Sequence, residues 1–565
     1  MSMLRSSCIS SSSSRLPREI SILCRGYLQS RSFSSSSSLS YSPFPTLARA
    51  QSPSDGVSSS SLRWSGLAFP ELPKFTARGS DITILNRPDQ FYSFLINSIK
   101  NARRRIFLAS LYIGKEETEL VQTLHEALKA KPSLELHIIT DFLRSTREHP
   151  TSTSSASLIA SLQASFPSQV HLSLYHTPAL HGLLARIVPK RYNEGWGLWH
   201  GKIYGFDDDV MLSGANLSKD YFTNRQDRYI VFKRHPAFAD YLHELMQVFK
   251  GLSYSIKGRS ASNTSGDNFD LSFINEPGKV SSEPVHDPRG FTEAAKERLQ
   301  TFMAQWLAKS SSSLSPHRPS SASSSQGASF DTTIQPFLQM GQFDITQETD
   351  IVIPKVLEQV QHDEQLRLDW TSGYFGVRSA YKEGLLKSVG PVHIVCASPQ
   401  ANGFYQSPGF SKYIPPAYTY AESRFWKAIK EHNKTDCISI EEWRRDGWTY
   451  HSKGIWLSPS GSSWSSSSAS SSPSNVASVG KEEHLKPHLT LIGSSNYGYR
   501  SAVRDVEVNA VIQTSSDELQ IALGNELDNI RKHANDKVDD ALFERKDRRV
   551  GPINKLAAKV IADML

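Results

Sequence analysis

Cysteine is scarce in this chain of 565 residues: Cys8, Cys24, Cys396 and Cys437 are the whole complement. Four isolated thiols exclude a disulfide-stapled scaffold, and their spacing suits no thiolate metal knot. Long apolar runs are missing too. Nothing approaches the ~18–20 residues that span a bilayer, and mean hydropathy is −0.39, so an integral helical membrane protein is not expected. The first 50 residues lack the apolar core, roughly 7–15 residues long, of a secretory signal, so export is not expected. They also lack acid: Glu19 stands alone against Arg5, Arg15, Arg18, Arg25, Arg31 and Arg49.

That imbalance supplies five of the chain's +7 net charges and leaves the other 515 residues at +2. A global basic stripe is therefore absent, and no nucleic-acid partner is expected. Arginine-rich, serine-rich and acid-poor is the composition of an organelle targeting segment. The run Arg31-Ser32-Phe33-Ser34 reads as a matrix-processing site cut after Phe33. Residues 1–33 are thus expected to be a mitochondrial targeting segment, and 34–69 a disordered linker.

What the chain does have is internal repetition. Asp81-Ile82-Thr83 opens one half and Asp344-Ile345-Thr346 the other. Each is followed by a helical pattern and then a strand, Arg105–Gly114 or Leu366–Gly376. A second helical pattern and a second apolar strand follow in both. Strand–helix–strand at this spacing argues an α/β sheet with parallel neighbours. Serine-rich stretches mark the joints. The expected division is 70–252 for the first half, 253–329 for a linker with one helix (Thr292–Lys309), and 330–565 for the second half. A low-complexity insertion at 458–484 interrupts the second half.

The same motif sits at the same place in both halves. His200-Gly201-Lys202 is followed by Asp207 and then Ser213-Gly214-Ala215-Asn216. His451-Ser452-Lys453 is followed by Gly493-Ser494-Ser495-Asn496. His to Asn is 16 residues in the first copy and 45 in the second, the excess lying in the insertion. Eleven residues beyond each Asn stands an acid, Asp227 and Glu507. In extended chain, residues two apart share a face, so each His projects with its Lys. An imidazole beside an ammonium suits phosphoryl chemistry: one His attacks phosphorus and the other handles the leaving group's proton. Lys202, Lys453, Asn216 and Asn496 can hold non-bridging oxygens. Asp227 and Glu507 can each bind the far nitrogen of a His and set its tautomer.

These residues resemble the phospholipase D superfamily, with its duplicated H-x-K-x4-D motif. The likeness runs through both halves. It is stronger for a branch that moves a phosphatidyl group, carried by Phe107–Gly114, His200–Asp207, Leu212–Ser218, Asp220–Tyr229, Gly447–Leu457 and Leu491–Ser501. Two departures stand out. The first half has Ser-Gly-Ala-Asn where the superfamily has G-S-x-N, and Ser458 falls where the second motif Asp belongs.

The resemblance implies duplicated α-β-α halves with mixed sheets and one shared cleft at a pseudo-two-fold interface. It implies His200, Lys202, Asp207, His451 and Lys453 as the catalytic set, although the motif Asp is usually structural. It implies transfer from CDP-diacylglycerol to sn-glycerol 3-phosphate through a phosphatidyl-histidine, on the route to phosphatidylglycerol and cardiolipin, with no metal and no cofactor. His200 is taken as the nucleophile and His451 as acid and base; the reverse assignment stays open. Arg144 and Arg147, at a strand end, are possible ligands for the acceptor's phosphate. Arg225, Arg228, Arg500 and Arg504 can line the cleft. The expected location is peripheral, on the matrix side of the inner mitochondrial membrane, in contact with anionic lipid. The C-terminal stretch Ala541–Leu565 is a candidate for that contact. A phospholipase D-type hydrolase, a mitochondrial nucleic-acid phosphodiesterase and an inactive lipid-binding scaffold are the alternatives.

Overall fold

Two multi-stranded mixed sheets lie at the centre of the molecule, one per half. The computed structural model describes residues 66–149, 151–190, 192–259, 268–273, 278–312, 330–460 and 485–552, with 554, 555 and 558 beyond them. In the first half, Arg105–Ala109, Glu135–Asp141 and Val170–Tyr175 pair in parallel. Ile203–Phe206 lies antiparallel on the other side of Arg105–Ala109, followed by Asp209–Ser213, Tyr229–Phe232 and the edge strand Ile82–Leu85. The second half repeats this order. Leu366–Ser372, Val392–Ala397 and Ile438–Trp443 are parallel, and Lys453–Pro459, Leu489–Gly493 and Glu507–Thr514 continue antiparallel. The central strands are buried on both faces, and Arg105–Ala109 and Val392–Ala397 read as nearly continuous apolar runs.

Helices cover the sheets for reasons visible in their sequences. Pro88–Asn101 starts with proline, whose missing N–H costs nothing in a first turn. It buries Phe91, Leu95 and Ile99 on one stripe. Asp517–Arg531 has Ser516 as its cap and two acids in its first turn, and buries Leu519, Leu523, Leu527 and Ile530. Between the sheets a shared apolar core joins Trp199, Ile203 and Leu212 of the first half to Trp456, Val508 and Ala510 of the second.

The expected boundaries shift. Leu67 donates its N–H to Gln513 at 2.6 Å, Phe69 and Leu72 are buried in the second half's core, and Phe75–Ala77 pairs with Thr332–Ile334. The chain from 66 to 77 therefore edges the second sheet, and the first sheet begins only at Ile82. At the other end, Ser253–Gly258 and Phe269–Ser272 extend the first sheet. Serine content hid these strands, since their buried positions are few. The helix in the joint runs Pro288–Ser312. The two Asp-Ile-Thr runs are not equivalent either. Thr332–Met340, not Ile345–Thr346, pairs beside Glu507–Thr514 as Ile82–Leu85 pairs beside Tyr229–Phe232. The targeting segment 1–33, most of the linker 34–69, and insertion residues 461–484 lie outside the described residues. Of the C-terminal stretch, Asp540–Glu544 is a short helix, and Arg548 is buried against Glu442. That part is packed structure.

Candidate active site

The two His-x-Lys triplets lie just ahead of sheet strands, on segments that cross from one half to the other. Thr449–Tyr450 pairs in parallel with Arg225–Gln226 of the first half, and the His451 N–H donates to the Gln226 carbonyl at 2.9 Å. The mirror contact is the His200 N–H to the Val506 carbonyl, also 2.9 Å, beside a Trp199–Val506 bridge. Each histidine is thereby zipped onto the acid-bearing segment of the opposite half.

The acids follow. His200 Nδ1 lies 2.9 and 3.0 Å from the two carboxylate oxygens of Glu507. His451 Nδ1 lies 2.7 Å from Asp227 Oδ2. A proton on each Nδ1 donates to the acid and leaves Nε2 as the working nitrogen. All four groups are buried. Burial alone would raise the Glu507 carboxyl. The His200 ring, Lys202 and the Ser494 hydroxyl outweigh it and hold Glu507 down at about 2. Asp227 lacks that support, and burial leaves its carboxyl raised despite Lys453. His200 is lowered by burial against the pull of Glu507. His451 is pushed well below the ordinary imidazole range by burial, then by Lys453, Arg225, Lys202 and His200.

The lysines are drawn in by the same short geometry. Lys202 Nζ donates to the His200 carbonyl at 2.5 Å. Lys453 Nζ donates to the His451 carbonyl at 2.8 Å and lies 2.7 Å from His451 Nδ1 and 3.7 Å from Asp227. Burial lowers Lys202 to about 7 and Lys453 to about 8.

The two asparagines differ. Asn216 Oδ1 accepts from the Leu111 N–H and Ser110 hydroxyl at 3.3 and 3.4 Å, and its Nδ2 donates to the Tyr221 hydroxyl at 3.1 Å. Asn496 Oδ1 is buried with no hydrogen-bond partner. Asp207 is elsewhere. It sits at φ 55° in the turn between Ile203–Phe206 and Asp209–Ser213 and accepts the N–H groups of Arg103, Arg104 and Arg105 at 2.8–3.1 Å. It pins a hairpin and touches neither histidine, so its place in the catalytic set is corrected. The second half needs no such residue because its strand runs straight on to Pro459, carrying Ser458 in register with Arg367.

Arg144 and Arg147 follow Asp141, whose carboxylate accepts the Trp199 N–H next to His200 at 3.0 Å. Both are already balanced, Arg144 by Glu148 at 3.7 Å and Arg147 by Glu194. Arg144 also lies 4.0 Å over the Tyr112 ring. Arg228 is a staple between halves: it bonds Glu526 twice at 2.8 Å, the Leu491 carbonyl at 2.6 Å and Thr490 at 2.9 Å, over the Trp456 ring. Arg500 pairs with Asp505 at 3.0 Å, and Arg504 donates to the Gly195 carbonyl at 2.6 Å.

Two tyrosines not singled out from sequence complete the site, with Arg225 beside them. The Tyr221 hydroxyl lies 3.4 Å from His451 Nε2. The Tyr374 ring stands edge-on to His451 at 5.5 Å. Arg225 lies 4.6 Å over the Tyr221 ring. Tyr374 had a visible signal, since Ser372-x-Tyr374-x-Gly376 repeats Ser110-x-Tyr112-x-Gly114. Tyr221 had none.

Two groups of described residues have donor atoms close enough to share a cation. His200, Asp505 and Glu507 form one, but Ser494, Arg500 and the Leu198 N–H already engage its carboxylates. Glu135, His137 and His171 form the other, at the opposite end of strand Glu135–Asp141.

A duplicated α/β fold that brings two His–Lys pairs and two acids into one buried cluster defines a phospholipase D superfamily member. A family model described as "Cardiolipin synthase, PLD-like domain" matches residues 95–251. The CDP-diacylglycerol–glycerol-3-phosphate 3-phosphatidyltransferase of Saccharomyces pastorianus is 36% identical over 498 residues, 86% of this chain and 88% of that one. The Schizosaccharomyces pombe enzyme of that name is 37% identical over 481 residues, 82% and 90% of the two chains. The mitochondrial enzyme of Homo sapiens is 34% identical over 510 residues, 87% and 84%. The chain belongs to the CDP-diacylglycerol–glycerol-3-phosphate 3-phosphatidyltransferase family. Among solved structures, the phosphatidylserine synthase of Haemophilus influenzae Rd KW20 matches with a TM-score of 0.59 at 18% identity, covering 88% of this chain and 98% of that one. That likeness concerns the fold.

Proposed function

We propose that the protein transfers the phosphatidyl group of CDP-diacylglycerol to sn-glycerol 3-phosphate, giving phosphatidylglycerophosphate and CMP. The observation that carries this is the reciprocal His–acid exchange across the two halves, in a chain whose relatives bear this enzyme's name over most of their length. His200 Nε2 attacks the phosphorus that bears diacylglycerol. The bond from that phosphorus to the CMP oxygen breaks, and a phosphatidyl-histidine remains. His451 gives its Nε2 proton to the departing CMP. It then takes the proton of a glycerol hydroxyl as that oxygen attacks phosphorus and the P–N bond breaks.

The electrostatics support this assignment. Glu507 stays ionised and keeps the His200 Nδ1 proton in place, so Nε2 holds its lone pair for attack. His451 is depressed by surrounding cations as well as by burial. A bound diphosphate brings the opposite charge, cancels the cations' share of that depression, and loads His451 with the proton it must deliver. Lys202, Lys453 and the asparagines take up charge on the non-bridging oxygens. No metal is required for these steps. Arg225, close enough to His451 to depress it, and Arg144 and Arg147 serve the phosphates, the last two by exchanging their glutamate partners for substrate.

On this reading the protein is mitochondrial, as the Gallus gallus and Homo sapiens relatives are named. It works at the matrix face of the inner membrane as a peripheral protein. No helix among the described residues is long and apolar enough to cross a membrane. The test is a product assay with purified protein, CDP-diacylglycerol and labelled glycerol 3-phosphate. Label in the lipid phase is the expected result. Phosphatidic acid without labelled lipid would make it a hydrolase, and nicked DNA without lipid product a nuclease.

A further inference from the structure

A diacyl lipid reaches a cleft between two half-domains only if the mouth of that cleft meets the bilayer. Two segments, one from each half, meet near the groups around His451. The first, residues 176–193, runs from strand Val170–Tyr175 toward His200 and contains the helix Gly182–Ile187. That helix buries none of its residues. The second, residues 398–421, follows strand Val392–Ala397. The two segments meet: a Cβ on Gly409 would lie 3.6 Å from the Tyr192 hydroxyl. The second segment also borders the reacting groups. A Cβ on Gly403 would lie 3.3 Å from the Tyr374 hydroxyl and 3.4 Å from Arg225 Nη2, both beside His451.

Their surface chemistry is unusual for water-facing chain. Leu183 is 69% exposed, the most of any large hydrophobic side chain among the described residues; Ile187 is 53% and Tyr405 44% exposed, and Phe404 is exposed with them. Isolated exposed apolar groups need no explanation, but four of them on two segments that meet each other do. Charge points the same way. Neither segment contains a single Asp or Glu, whereas Arg186, Lys190 and Lys412 are exposed on them. Glu194 follows the first segment directly but is paired with Arg147, and Glu422 follows the second but is buried. Apolar tips flanked by exposed cations match the headgroup boundary of an anionic bilayer, where the apolar tips sink among acyl chains and the cations meet lipid phosphates.

We infer that segments 176–193 and 398–421 together form the membrane-docking face, seating the cleft mouth on an anionic leaflet so that CDP-diacylglycerol enters headgroup first. This rests on the proposed lipid substrate for its purpose, but not for its test. The full chain is mixed with phosphatidylcholine vesicles, with and without phosphatidylglycerol, and floated on a gradient. In L183E/I187E/Y405E, binding to the phosphatidylglycerol vesicles falls tenfold or more. In R186E/K412E it falls by about fivefold per cation lost, and only on the anionic vesicles. The triple variant also loses transfer from vesicle-borne CDP-diacylglycerol while keeping wild-type turnover of a water-soluble short-chain analogue. Flotation of the triple variant equal to wild type overturns the docking face. A wild-type chain that floats, with variants that do not, supports the docking face even where no chain turns over CDP-diacylglycerol; that second result would overturn the proposed reaction alone.

Discussion

The two halves carry the same motif but build its surroundings differently. On the His200 side the acid is the longer Glu507, which grips the ring with both oxygens and takes a further hydrogen bond from Ser494. On the His451 side the acid is the shorter Asp227, and Gly214 stands where Ser494 stands in the other half. A Cβ on Gly214 would fall 2.4 Å from Asp227 Oδ1 and 2.9 Å from Lys453 Nζ. The missing hydroxyl is therefore the space that Asp227 and Lys453 occupy. One side is a firmly ionised, well-bonded pair suited to orienting a nucleophile. The other is crowded with cation and tunable by substrate charge, which suits moving a proton. Duplication supplied two copies, and the departures from the shared motif gave them separate tasks.

The largest effects fall at the histidines. H200A and H451A should each lower transfer on the order of 10^4-fold in the product assay, with unchanged circular dichroism. Next in size is the staple between halves. R228A strands the buried Glu526 carboxylate and should cost about 3–5 kcal/mol in urea unfolding, because Arg228 is fully enclosed. Swapping the small residues sharpens the contrast itself. G214S should lower kcat/KM by about 10^2-fold by displacing Asp227 and Lys453. S494G, which leaves Glu507 one donor short, should cost about tenfold. Equal effects from the two would remove the asymmetry.

The smallest effect is with pH. Lys202 and Lys453 lose their protons near 7 and 8 in the folded protein, so kcat/KM should fall several-fold as pH rises from about 7 to 9. Stability should move the other way. The unfolded chain keeps both lysines protonated up to their ordinary 10.5. It therefore binds more protons than the native state above about pH 7, and unfolding free energy rises with pH in that window. Parallel rate and urea titrations check both signs.

Much of this was legible in the sequence. The repeated His-x-Lys, the Asn beyond it and the acid eleven residues further located the buried groups, and apolar runs located the central strands. What could not be read was partnership. His200 and Glu507 are about 300 residues apart, and nothing local says that each histidine takes the acid of the other half; that follows from how the two sheets face each other. Asp207 misled because motif membership does not distinguish a turn-pinning carboxylate from one aimed into a cleft. Gly214 looked like a lost hydroxyl, and only the positions of Asp227 and Lys453 show it as required space. Ser253–Gly258 looked like linker because serine content masked a strand whose only fully buried side chains are Ser253 and Ile256.

Trapping the covalent intermediate tests the division of labour between the histidines most directly. Full-length protein is mixed with labelled CDP-diacylglycerol without acceptor, quenched in alkali to preserve phosphohistidine, digested and mapped by mass spectrometry. The phosphatidyl group is expected on the peptide containing His200. The group on the peptide containing His451 would contradict that division.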